Sequence, residues 1–83
     1  MDAKAADMIL IDWIDSAGSA GWKLPEECCG ELSKCQSVGF LVEETDEFYC
    51  VALNRSFNCN TENPFGDLMT IPKVAVTKVK RVK

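Results

Sequence analysis

Two apolar runs that meet at an acidic turn do most to limit what this chain can fold into. Residues 38–53 read Val-Gly-Phe-Leu-Val-Glu-Glu-Thr-Asp-Glu-Phe-Tyr-Cys-Val-Ala-Leu, and a third run, Ile71-Pro-Lys-Val-Ala-Val-Thr-Lys-Val79, follows a polar stretch. Runs of β-branched and aromatic residues bounded by turn formers are strand signals. Carboxylates at the junction keep a hairpin tip in water. The layout predicts a mainly β fold: a five-stranded, strongly bent barrel, with a short helical segment in a long insertion after the first strand. The chain has 83 residues. That length predicts a single domain, 1–83, which buries only about 60% of its unfolded surface and so has a thin core.

Along the chain, Met8–Ile14 admits two readings. Lys4, Asp7, Asp12 and Asp15 share one arc of a helical wheel, whereas Ile9, Ile11 and Trp13 alternate as a strand does. The strand is preferred. Ser16–Gly21 reads as a flexible connection, and Trp22 as a lid over the barrel end. Pro25-Glu26-Glu27 has the proline and first-turn carboxylates of a helix start, and Gly30 limits that helix to a turn or two. Strands are then expected at Cys35–Glu43, Phe48–Leu53, Leu68–Ile71 and Val76–Val82. Residues 54–67 form an ordered loop, and a tight turn runs through Lys73–Ala75. Gly39, inside a strand, marks a bend or a close backbone approach.

Charge is segregated. Residues 1–72 carry thirteen acids and four bases, whereas residues 73–83 carry Lys73, Lys78, Lys80, Arg81 and Lys83 with no acid. A basic end of this kind steers toward nucleic acid or toward the acidic part of a neighbouring subunit. It also has a plainer use, because lysine on an exposed edge discourages promiscuous strand pairing. Five cysteines, an odd number, with no export signal and no Cys-x-x-Cys pair, read as reduced thiols. No stretch approaches the ~20 apolar residues of a membrane span. The chain is expected to be cytoplasmic, with no membrane partner.

Catalytic chemistry is not visible. The chain has no histidine, and Glu43, Glu44, Asp46 and Glu47 on one turn look like a solvated tip instead of a tuned acid–base pair. No phosphate loop, nucleophile elbow or metal-ligand spacing occurs. The expectation is a non-enzymatic protein without cofactor, metal or catalytic residue.

A family resemblance enters at the paired strands. Val38-Gly39-Phe40-Leu41 with Asp46-Glu47-Phe48-Tyr49-Cys50-Val51-Ala52-Leu53 resembles the first Sm motif, Gly-x-hydrophobic followed by Asp-x-aromatic-Met-Asn-hydrophobic-x-Leu. Ile71–Val79 is similar to the second Sm motif in the spacing of Ile71, Val76 and Val79. Lys73 and Ala75 bring it closer to the bacterial RNA-chaperone branch. The likeness covers about half the chain and implies an Sm-like, SH3-like barrel. The first half, through Asp15-Ser16, Gly21-Trp22 and Ser37-Val38-Gly39, also looks like small phage-encoded proteins, which would set it in the host cytoplasm.

The resemblance implies a cyclic homo-oligomer, from pentamer to heptamer, closed by pairing the fourth strand of one subunit with the fifth of the next. Leu68, Met69, Ile71, Val76, Lys78, Val79, Lys80 and Val82 would form that interface. It also implies single-stranded RNA as ligand, with Phe48 at the base-stacking position, Asp46 as the supporting acid and Lys73 as the cation. For Phe48, stacking and core packing are both open. Two positions depart from the family. Cys50 stands where an asparagine reads the base edge, and a thiol cannot make an amide's paired hydrogen bonds. Pro72 stands where the family has arginine. Uridine-specific reading is therefore weakened. The rival expectation is a structural or protein-interaction module presenting Trp22, Phe57 and Phe65 as an exposed apolar patch.

Overall fold

The computed structural model describes residues 7–18, 21–28, 30–57 and 64–82. Expectations for Lys4, Cys29, Cys59, Lys83 and the centre of the 54–67 loop lie outside the described residues. Five strands form one antiparallel sheet: β1 (Met8–Asp15), β2 (Ser33–Glu44), β3 (Phe48–Arg55), β4 (Phe65–Pro72) and β5 (Val76–Arg81). Their order is β4-β3-β2-β1-β5, so β4 and β5 are the outer strands and the sheet is not closed. No helix among the described residues is long and apolar enough to cross a membrane.

The ambiguous Met8–Ile14 segment is strand. Ile9 and Ile11 are fully buried, and Trp13 packs beside them, which is the alternation of a half-buried strand. Ile9, Ile11, Leu41, Val51 and Ile71 form the core, with Trp13, Tyr49, Val76 and Val79 packed against it. Each full burial of such a side chain is worth roughly 1.5–3 kcal/mol, so five of them make a thin core. The Cα radius of gyration, 16.6 Å, exceeds the ~12 Å of a compact chain of this length.

The two ends of β2 have different partners. Ser33–Phe40 pairs with β1, whereas Phe40, Leu41, Glu43 and Glu44 pair with β3 across a bulge at residue 42. Gly39 lies at the changeover. A β-carbon there would stand 2.6 Å from the Ala52 carbonyl oxygen, so the strands approach more closely than any side chain allows. Of the bend or close approach expected at Gly39, the close approach is present.

Three expectations are corrected. β4 starts at Phe65, not Leu68, because Phe65 pairs with Arg55 and Gly66 with Asn54. The left-handed backbone of Asp67 (φ 58°) lies inside the strand, between Gly66 and Leu68, which both pair with β3. The expected helix is a single 3-10 turn, Pro25–Glu27, with no described residue in an α-helix. Trp22 is no lid: its side chain is fully exposed. It follows Gly21, at positive φ, and the described residues of this connection pair with no strand that would hold the indole against the sheet.

Candidate functional site

The acidic turn and the Lys73 turn are far apart in sequence and adjacent in space. Register pairs Phe48 with Pro72 and Tyr49 with Ile71, which carries the chain after β4 back to the β2–β3 turn. Proline is tolerated in β4 because an outer strand can lack one N–H. Thr45 closes the acidic turn: its backbone N–H donates to the Phe48 carbonyl at 3.0 Å, and its Oγ1 accepts from the N–H groups of Glu47 and Phe48 at 3.1 and 3.2 Å. The Lys73 N–H then donates to the Glu47 carbonyl at 2.8 Å.

The Lys73 side chain is drawn into the same cluster. Its ammonium donates to Glu44 Oε2 at 2.7 Å and lies 4.8 Å from the centre of the Tyr49 ring. The hydrogen bond to Glu44, with lesser help from the charges of Glu44, Tyr49 and Asp46, raises its pKa above the ordinary 10.5. A raised ammonium stabilises the folded state fully below the pKa of free lysine, and that contribution is lost as pH rises through the raised value. The stability gap between wild type and Lys73→Met is therefore expected to be full at about pH 9 and to close above the raised pKa, as read by urea midpoints across the alkaline range. A gap that stays constant would show that the pair does not act through the lysine charge.

The candidate RNA-contacting residues are thus brought only partly together. Asp46 is exposed at the tip, Phe48 half-buried opposite Pro72, and Lys73 beside both. Cys50 is 7% exposed and faces Thr70 and Glu43 across the sheet, set back from the tip. Glu44 pairs with Lys73 and Asp46 adds its charge nearby, while Glu43 and Glu47 flank them in the chain. Their summed field repels phosphate.

The eight candidate interface residues divide by burial. Ile71, Val76 and Val79 belong to the core or pack against it. Leu68 is 58% exposed, Met69 47% and Val82 39%, and Lys78 and Lys80 are also exposed. Beside β4, an apolar hollow of about 490 Å³ is lined by Val38, Val51, Leu53, Leu68 and Met69, with Ser37, Ala52 and Asp67. Exposed Leu53 and Val38 were not singled out from sequence; each falls in an apolar run, where alternation alone does not separate core from surface.

The aromatic residues of the rival reading do not form one patch. Phe65 is half-buried, its ring 6.4 Å from that of Phe40, while Phe57 is exposed. The Arg55 guanidinium lies 4.6 Å from the Phe57 ring centre and 5.5 Å from that of Phe65. Trp22 stands alone in the β1–β2 connection. Cys28, Cys35 and Cys50 are free thiols, and no cluster of metal-binding side chains occurs among the described residues.

No family model, curated protein or solved structure matches this chain.

Proposed function

We propose that the chain is a non-enzymatic, Sm-like subunit that closes head to tail into a homo-oligomeric ring and takes single-stranded RNA as its ligand. The observation that carries this reading is the strand order. It leaves β4 and β5, joined by the 3-10 turn Lys73–Ala75, as the two unpartnered edges of one open sheet. An open edge is a row of unpaired backbone groups, and pairing one kind of edge with the other hides both when the arrangement closes. Exposed Leu68, Met69 and Val82 at those edges supply apolar area for the contact. The meeting of the Phe48 and Lys73 turns supports the resemblance in layout. Cys50 and the acidic tip weaken its base-reading chemistry.

Light scattering tests the ring: a discrete oligomer of five to seven subunits is expected, and a clean monomer overturns it. Titration of labelled oligo-U and oligo-A at low salt tests the ligand. Absence of binding by intact oligomers would leave the rival reading, a protein-interaction module, which exposed Trp22 and Phe57 favour.

A further inference from the structure

Three cations without an ion pair among the described residues gather on one face of the sheet. Residues directly opposite in an antiparallel ladder share a face, and residues two apart on a strand share it too. Register sets Lys78 opposite Asp12 and Asp12 opposite Gln36; it sets Lys80 opposite Leu10, and Ile14 opposite Lys34. Lys34, Lys78 and Lys80 therefore stand on the side of β2, β1 and β5 that faces away from Ile9 and Ile11. All three are exposed, and none forms an ion pair among the described residues. The other described cations of the basic segment are engaged: Lys73 with Glu44, and Arg81 with Asp7 at 3.5 Å.

The face is shaped as well as charged. A hollow of about 180 Å³ is lined by Leu10, Asp12, Gln36, Lys78 and Lys80. A second, of about 440 Å³, adjoins it through the shared residues Asp12 and Gln36 and is bordered by Lys34 and Thr77. Between them, Asp12 Oδ1 is covered from solvent yet accepts no hydrogen bond from the described residues. A covered carboxylate oxygen without a donor marks a place where a donor from outside is missing.

We propose that this face, the β5–β1–β2 lysine face, and not the acidic turn, carries the phosphate backbone of single-stranded nucleic acid. The inference rests on the RNA-binding reading above and names its surface. A phosphate strand supplies the anions that Lys34, Lys78 and Lys80 lack. Base edges supply N–H donors for Asp12, and both donors and acceptors for the Gln36 amide. Lys78 and Lys80, two residues apart on one strand, stand ~6.6 Å apart along it and present two successive cations to an extended backbone.

The test is fluorescence anisotropy of labelled oligo-U and oligo-A of ~12 nucleotides, within the usual span of one small β-barrel site. Three phosphate contacts on a single strand give a slope of log affinity against log salt of about −2, or a loss of ~20-fold between 50 and 200 mM salt. The variant Lys34→Ala/Lys78→Ala/Lys80→Ala is expected to lose at least ~10-fold in affinity at 50 mM salt and most of that slope. Lys78→Arg/Lys80→Arg should retain both, and Lys23→Ala, an exposed cation of the β1–β2 connection, should bind as wild type does. Circular dichroism and light scattering on each variant confirm that fold and assembly are unchanged. If the triple variant binds normally while Phe48→Ala/Lys73→Ala does not, the lysine face is overturned and the RNA reading stands. If wild type itself binds nothing at 50 mM salt, the RNA reading fails and takes this inference with it. If the triple variant changes oligomer size, the lysines serve a second copy of the chain, and the inference is overturned.

Discussion

Replacing Gly39 by valine is expected to destabilise the fold by about 3 kcal/mol, at the upper end of the usual cost of overpacking. A β-carbon at this position would stand 2.6 Å from the Ala52 oxygen and 3.3 Å from its carbonyl carbon, both backbone atoms that no rotamer change can move aside. Relief requires opening β2 from β3 at the point where Phe40 pairs with Met8 on one side and Ala52 on the other. Both halves of the sheet are affected. A domain of this size has a total stability of roughly 4–12 kcal/mol, so the variant sits near the limit of folding. Urea unfolding followed by circular dichroism measures it, and Gly39→Ala should fall between wild type and valine. Unchanged midpoints for both variants would mean that the strands are not held this close.

Ile11→Ala is expected to cost about 2–5 kcal/mol, the range for emptying a packed aliphatic site. Ile11 is fully buried on the strand that pairs with both β2 and β5, opposite Ser37 on one side and Val79 on the other. A cavity at the centre of a sheet is hard to collapse, since closing it requires shifting strands hydrogen-bonded on two sides. In a core of five fully packed side chains, losing one removes a large part of the apolar stabilisation. The same urea titration reads the effect. A loss below ~1 kcal/mol would indicate that the sheet relaxes around the site.

The strands were legible where apolar runs had clear ends. The Val38–Leu53 pair and the Ile71–Val79 run lie where their composition predicts, because β-branched and aromatic residues leave few alternatives. Phe65-Gly66-Asp67 was read as loop because glycine and aspartate are turn formers, and the pairing that overrides this is set by β3, a distant part of the chain. Trp22 was read as a lid because large aromatics are usually covered, whereas its position depends on a connection without strand partners. Closure of the barrel was expected, and the sheet is open between β4 and β5. Whether two outer strands pair depends on how far the whole sheet curls, which leaves no trace in local composition.

The candidate site was legible by halves. Asp46, Phe48 and Lys73 were named through the family resemblance alone, and the meeting of their two turns follows from the β3–β4 register, which joins distant parts of the chain. That Glu44 engages Lys73 was not foreseen, since any of four neighbouring acids was a possible partner. The basic character of residues 73–83 was visible as composition. Its division was not: Lys73 turns to the acidic tip and Arg81 to Asp7, while Lys78 and Lys80 join Lys34 from a distant strand. Which side of a sheet a charge occupies follows from register, and register shows only when the partners are known.

The left-handed residue in β4 has a consequence for chains that meet one another wrongly. A left-handed residue turns its peptide groups away from the direction they take in an extended strand, so Asp67 interrupts the outer edge ahead of Leu68, and Pro72 ends that edge without an N–H to offer. A stray strand docking there finds a ladder of only a few rungs, too short to template the long, flat stacking that seeds fibrils. The left-handed residue thus limits misassembly at an edge that carries exposed leucine and methionine.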